Sequence, residues 1–245
     1  MEALEKLGQY GLLLYRAIRS SYEYDNYKKN LVSELVKIGY ESLPIVLLTG
    51  IFTGAVMTLQ TAYQLEIAYV PRSVIGAIVS ESILIELAAV ITSLVLAGKV
   101  GARIATELGT MRVSEQIDAL ESMGFNSVSF LVVPRVLAGL IMFPILYSVA
   151  SASGIAGGLV AGVLSGALPG AEFMEGAREF FYPWDVSFGL LKAFVFGYVI
   201  TSVSCYKGYF ATGGAEGVGT STTQATVLSC IYVLLADFVL AAILL

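Results

Sequence analysis

The sequence predicts an all-α integral membrane protein built as a single membrane domain. Of its 245 residues, 57% are hydrophobic and only 13% are charged, whereas an ordinary soluble domain is about a quarter charged. The apolar residues gather in stretches of about 20, which is the length a helix needs to cross a hydrocarbon core of roughly 30 Å. Because a soluble fold could not hide so much apolar surface, we expect several transmembrane helices.

Composition also excludes several classes of function. The net charge is −5, so the chain lacks the excess of basic residues that a nucleic-acid-binding surface needs. It has no histidine, which is the commonest ligand of transition metals. We expect no nucleic-acid partner, no metal site and no catalytic residue in this chain. Cys205 and Cys230 lie in or beside apolar stretches, where we expect them to pack as small hydrophobic side chains.

Hydropathy divides the chain into an N-terminal helix, five apolar spans and one charged connection. Residues 1–22 place leucines at three- and four-residue spacing, which predicts a helix lying either in the bilayer interface or against the protein itself. Residues 99–126 are too rich in charge to cross a membrane. The predicted transmembrane spans are residues 43–63, 74–98, 130–168, 186–205 and 226–245.

The third span leaves two topologies open. Residues 130–168 could form one long broken helix or a hairpin of two helices, because Pro144 and nearby glycines permit either. Cytoplasmic loops carry the excess of lysine and arginine. With five spans, all 14 lysines and arginines fall on one side except Arg72, Arg178 and Lys192. We therefore expect five spans, with the N-terminus cytoplasmic and the C-terminus on the outer side.

The charged connection has the pattern of a cytoplasmic helix. Val113, Ile117 and Leu120 share one face, acidic side chains occupy the others, and Gly124 is placed to cap the C-terminus. From this pattern the segment is an ordinary loop helix, a helix that lies along the membrane, or a helix that inserts into a partner's groove. The expected helix runs from about residue 111 to residue 123.

Five segments of this region and of the later loop carry a family resemblance. The first three, preceded by Glu86-Leu87, resemble in order and spacing the central signature of the MlaE-type permeases of lipid-transporting ABC systems, and the last two resemble that family's second cytoplasmic segment. These segments are LAGKVGA at residues 96–102, ELGTMRVSEQIDAL at 107–120, VVPR at 132–135, KGY at 207–209 and GGAEGVG at 213–219. The chain departs from the family pattern at Ile85 and Lys99, where arginine is usual.

The resemblance implies a non-catalytic subunit that moves phospholipids or related lipids. Its implied partners are a second copy of itself, a cytoplasmic ABC ATPase that binds ATP and magnesium, and an outer-side MCE-domain lipid-binding protein. The implied location is the bacterial inner membrane, with a periplasmic C-terminus. The charged helix then becomes the coupling helix. Its contact residues would be Arg112, Val113, Glu115, Gln116, Ile117, Asp118, Leu120 and Glu121.

Three ionisable residues fall inside predicted spans. Glu86 lies about halfway along the second span, Lys192 lies in the fourth and Asp237 in the fifth. A charge at a helix centre costs about 2.5 to 3.5 kcal/mol, so such residues face a partner or a water-filled cavity. We expect Lys192 to pair with Glu86 or Asp237. The pair would either fix helix register, or bind a lipid head group or move between transport states.

Adaptable and aromatic side chains cluster at the outer end of the first span. Met57, Gln60, Tyr63 and Tyr69 could line a lipid path. The alternative is an ordinary aromatic belt, since tyrosine is enriched at any membrane interface.

A second hypothesis is a secondary transporter driven by an ion gradient. It would use intramembrane carboxylates such as Glu86 and Asp237 as proton or sodium sites. The sequence shows no repeated halves, and five spans do not divide into matched inverted repeats, so we favour the ABC-type permease.

The charge distribution makes a topological prediction. A reporter fused after Leu245 should be accessible from the outer side, while one inserted within residues 206–220 should be cytoplasmic. The measurement is protease or thiol-reagent accessibility in intact cells. A cytoplasmic reporter after Leu245 would contradict the five-span topology.

Overall fold

The computed structural model describes residues 2–20, 24–65 and 71–244, which are helical almost throughout and contain no strand. This confirms the prediction of an all-α membrane protein. The helices are α1 (Glu2–Ser20), α2 (Tyr24–Ile38), α3 (Leu43–Leu65), α4 (Ser73–Ser82), α5 (Ala88–Leu96), α6 (Ala102–Val113), α7 (Gln116–Ser122), α8 (Val133–Leu164), α9 (Gly170–Glu179), α10 (Pro183–Tyr209) and α11 (Gly214–Leu244).

Within those residues, five helical runs are long and apolar enough to cross a membrane, as the sequence predicted. They are Lys28–Leu65, Ser73–Val113, Val128–Leu164, Pro183–Tyr209 and Gly214–Leu244. The third is one continuous helix with Pro144 inside it, so it is not a hairpin. Ser148 donates a hydrogen bond to the carbonyl of Pro144 at 3.0 Å. Proline lacks the N–H that would bond the carbonyl of Leu140, a loss that membrane helices tolerate.

Two π-helical turns, Ile83–Leu87 and Ala97–Gly101, interrupt the second run. A π turn disturbs the regular hydrogen-bond ladder, and such turns are frequent at functional sites. Here the hydroxyl of Tyr147 donates a buried hydrogen bond to the carbonyl of Leu84 at 2.7 Å. The first turn therefore holds Glu86 in a locally widened helix whose backbone is satisfied from α8.

The chain divides into two compact units, each built from separate stretches of sequence. One comprises residues 41–93 and 143–193. In it, α3 crosses α8 so closely that a methyl group at Gly54 would overlap the carbonyl of Gly154. At the contact of α4 with α9, a methyl group at Gly176 would overlap the carbonyl of Ser73. Small residues allow this close packing between membrane helices.

The other unit comprises residues 1–40, 94–142 and 194–245. In it α1 packs against α10, where Tyr10 is 2.8 Å from the Ser202 hydroxyl and contacts the ring of Tyr206 edge-on. Burial raises the pKa of Tyr10, so its hydroxyl stays protonated at neutral pH. Leu13 is buried but Ile18 is 69% exposed. One face of α1 thus rests on the protein, while an apolar side chain of its predicted interfacial face stays exposed.

Candidate functional site

The segment with the family signature forms a bent corner rather than the single helix predicted from the sequence. Helix α6 ends at Val113, and α7 begins at Gln116. Between them Glu115 adopts a left-handed conformation with φ of 59°, which is uncommon for a residue with a side chain. The hydroxyl of Ser114 donates to the carbonyl of Thr110 at 2.7 Å. Such local side-chain bonds compete with the helical ladder and help to end α6 here.

An ion pair closes the corner on its exposed side. Arg112 donates to Asp118 at 2.6 Å, and Gln116 donates to the hydroxyl of Ser114 at 3.0 Å. We call the segment from Arg112 to Phe125 the α6–α7 corner. Glu115, Gln116, Asp118 and Glu121 are exposed along it, so its surface is polar and mainly acidic.

The apolar stripe predicted on this segment is not available to a partner as a whole. Ile117 is fully buried by the chain itself, Leu120 is half-buried, and Val113 is 38% exposed. Ile117 therefore anchors α7 to its own protein, which the helical pattern could not distinguish from insertion into a groove. Met123 and Phe125 are 63% and 50% exposed. The sequence interpretation missed these two apolar side chains, although they flank the capping Gly124.

Three hydroxyl and carboxylate groups tie the corner to the helices behind it. Ser127 donates to Glu121 at 2.6 Å, and its hydroxyl lies 2.7 Å from that of Tyr209. Tyr209 also donates to Glu121 at 3.1 Å. Glu121 thus connects α7 to the segment that leads into α8 and to the last residue of α10.

A cluster of five charged residues lies behind α6, and the sequence interpretation missed it. Arg103 donates to Glu34 and Arg135 donates to Glu107, both at 3.0 Å, and Lys37 lies 3.8 Å from Glu107. Glu34 and Arg135 are only 4% and 7% exposed. Charges buried this deeply are tolerated because they are paired. We call this group the charge cluster; it joins α2, α6 and α8.

In the unit that contains residues 41–93 and 143–193, the structure pairs Lys192 with Glu86, one of the two partners considered from the sequence. The ammonium lies 2.5 Å from the carboxylate and 4.7 Å from the centre of the Phe188 ring. Lys192 is fully buried, whereas the side chain of Glu86 is 40% exposed. The third residue considered, Asp237, lies on α11, whose residues belong to the other unit.

Of the three predicted lipid-lining residues in the described part of the chain, only Tyr63 lines a described cavity. It is 77% exposed and borders a cavity of about 470 Å³ together with Leu59 and Arg72. Met57 is half-buried and Gln60 exposed on α3. Tyr69 lies outside the described residues.

Comparison with known proteins identifies relatives over almost the whole length. The family model described as Permease MlaE matches residues 31–243. A probable ABC transporter permease of Rickettsia bellii is 37% identical, covering 96% of this chain and 91% of the relative. A probable ABC transporter permease of Synechocystis is 40% identical, and the match covers 87% of this chain and 81% of the relative. The intermembrane phospholipid transport system permease protein MlaE of Haemophilus influenzae is 32% identical, and the match covers 97% of this chain and 91% of the relative.

Lys192 and Glu86 are buried to different extents, so removing one charge should reduce the free energy of unfolding by a different amount from removing the other. Glu86→Gln leaves a fully buried ammonium without this carboxylate and should cost roughly 3 to 5 kcal/mol of unfolding free energy. Lys192→Met leaves a carboxylate that the protein covers only in part, with 40% of its side chain exposed, and should cost less than Glu86→Gln. The measurement is denaturation of the purified permease in mixed micelles. Equal losses, or a larger loss for Lys192→Met, would contradict the buried pair.

The double variant, Glu86→Gln with Lys192→Met, serves as the matched control. It removes both charges together and should recover most of the stability that Glu86→Gln loses. If it folds but no longer supports transport, the pair has a role in transport itself. If it folds and transports normally, the pair only fixes the helices.

Proposed function

Because this chain belongs to the MlaE permease family, we propose that it is the ABC transporter permease that moves phospholipids between the inner membrane and an MCE-domain protein on the outer side. A separate ATPase would hydrolyse ATP in the cytoplasm. The observation that carries this proposal is the α6–α7 corner: the family signature folds into an exposed corner connected by buried charges to the membrane helices.

The chemistry of the corner suits a protein partner. Its exposed carboxylates, among them Glu115 and Asp118, would be repelled by the anionic inner leaflet, where a surface helix normally carries lysine and arginine. The exposed Val113, Met123 and Phe125 supply apolar contacts of the kind found at the centre of protein interfaces. We therefore place the ATPase contact on these exposed side chains, with Ile117 as an internal anchor.

Motion of the corner would reach the membrane helices by two routes. Glu121 bonds to Ser127 and Tyr209, so movement of α7 acts on the beginning of α8 and the end of α10. Arg103 and Glu107 of α6 pair within the charge cluster, so movement of α6 acts on α2 and α8. Both routes consist of short polar contacts, and each includes buried groups: Ser127 and Tyr209 in the first, Glu34 and Arg135 in the second.

The pair of Glu86 and Lys192 supports a lipid path in the membrane domain. Glu86 keeps 40% of its side chain exposed, so it can contact the ammonium of a lipid head group while Lys192 holds it in place. Tyr63 and its cavity lie in the same unit. We propose Met57, Gln60 and Tyr63 as side chains along the path.

Two poorly buried spans support a homodimer. Only 22% of the most apolar stretch of the first span and 11% of that of the fifth are buried within the chain, against about half in the other three. Large side chains such as Phe52 and Phe238 are 65% and 72% exposed. We propose that these faces contact a second copy of the chain in part and bilayer lipid elsewhere.

The proposal predicts that Val113→Asp combined with Glu115→Arg releases the ATPase. The first change places a charge in the apolar part of the contact, and the second reverses a charge beside it. Both side chains are exposed, so insertion and folding should be unaffected. The measurement is the amount of ATPase that co-purifies with the permease, which should fall by about tenfold or more, the effect of losing one central contact.

Ala171→Asp combined with Glu175→Arg is the matched control, because it makes similar changes at exposed positions of α9. It should retain the ATPase fully. Ile117→Asp, in contrast, should destabilise the permease itself because the side chain is fully buried. Full ATPase retention by the Val113 and Glu115 double variant would refute this contact surface.

A further inference from the structure

A polar cavity of about 540 Å³ lies within the unit that contains α1, α10 and α11. It opens where the apolar part of α10 ends and that of α11 begins. This level of a membrane protein corresponds to the lipid head groups. Its walls include Gln9, Tyr206, Lys207, Glu216, Thr220 and Gln224. The volume is within the range of ordinary small-molecule sites.

The walls are held in place by specific contacts. Lys207 donates to Gln224 at 3.0 Å, which joins α10 to α11. Tyr206 donates to Gln9 of α1 at 3.5 Å. A methyl group at Gly217 would overlap the carbonyl of Thr212, so the glycine-rich segment is packed tightly where it borders the cavity. The sequence alone indicated only a family motif there.

The charges of the lining match a zwitterion. Lys207 supplies a cation from α10, and Glu216 supplies an anion from the first turn of α11. A phosphate is recognised by an ammonium and by hydroxyl and amide donors, while a primary ammonium is recognised by a carboxylate. The rings of Tyr206 and Phe210, 5.3 Å apart, add the aromatic surface typical of a membrane interface.

The face of α11 that borders the cavity continues into the membrane as an apolar stripe. Thr220 and Gln224 line the cavity, and Ile231 and Leu235 follow on the same face at helical spacing. Ile231 and Leu235 are 45% and 56% exposed. A polar cavity followed by an exposed apolar stripe matches a ligand with a charged head and acyl chains, not a soluble phosphate compound.

We propose that this cavity binds the head group of a zwitterionic glycerophospholipid with a primary ammonium, such as phosphatidylethanolamine. Lys207 contacts its phosphate, Glu216 contacts its ammonium, and the acyl chains lie along Ile231 and Leu235. The site adds a second lipid contact to the proposed function. It does not depend on ATPase coupling or on the pair of Glu86 and Lys192.

The test is photo-cross-linking of the complete permease–ATPase complex in nanodiscs. The probe is phosphatidylethanolamine with a diazirine close to its glycerol, and the readout is label in peptides from residues 206–224. Unlabelled phosphatidylethanolamine should displace the probe, and phosphatidylglycerol should do so about tenfold less well because it lacks the ammonium. Equal displacement by soluble phosphorylethanolamine, or label that appears only when the ATPase is omitted, would overturn the proposal.

Three variants test the assigned contacts. Lys207→Gln should reduce the label about tenfold, and Glu216→Gln should remove the preference over phosphatidylglycerol. Thr220→Trp fills the cavity without touching either charge and should also abolish the label, so the test does not rest on Lys207 alone. Unchanged label in Lys207→Gln and Thr220→Trp would overturn the proposal.

Lys29→Gln combined with Glu179→Gln is the matched control, since it removes one cation and one anion from exposed positions outside the cavity. It should keep the wild-type label. A loss equal to that of Lys207→Gln would show a general effect of charge and refute the site.

Discussion

The contact on which the rest of the molecule depends is the buried pairing of Arg103 with Glu34 and of Arg135 with Glu107. Three helices that are far apart in sequence meet at these side chains. Glu34 and Arg135 are the buried members, so removing Arg103 or Glu107 takes a partner from a charge in a poorly hydrated site, which is destabilising. The cluster therefore ties α6 to both α2 and α8.

The mechanical role that we propose for the α6–α7 corner depends on this cluster. A corner that made no contacts with the helices behind it could bind a partner without transmitting motion. Here Ile117 is fully buried and Glu121 bonds to Ser127 and Tyr209, so α7 is held from behind while its polar face stays open. Glu115, in its left-handed conformation, marks the bend between α6 and α7, where, under our proposal, force on α7 would move α6.

Much of this architecture follows from local features of the sequence, and the rest depends on contacts between distant residues. Apolar stretches predicted five spans, and periodicity placed a helix around Ile117, because both signals are carried by neighbouring residues. The same periodicity cannot say whether Ile117 packs on its own chain or on a partner. The break at Ser114 arises from side-chain bonds to the backbone. Glu34 and Arg135 are separated by about 100 residues, so no spacing rule connects them.

The central claim is that ATP hydrolysis by a partner, and not an ion gradient, drives lipid movement through this chain. The most direct measurement is transport of a labelled phospholipid by the purified permease–ATPase complex in liposomes, with ionophores present to collapse proton and sodium gradients. The account predicts that transport continues with ATP and stops when the ATPase is inactivated. Transport that persists without ATP and stops with the ionophores would contradict the account and favour a secondary transporter.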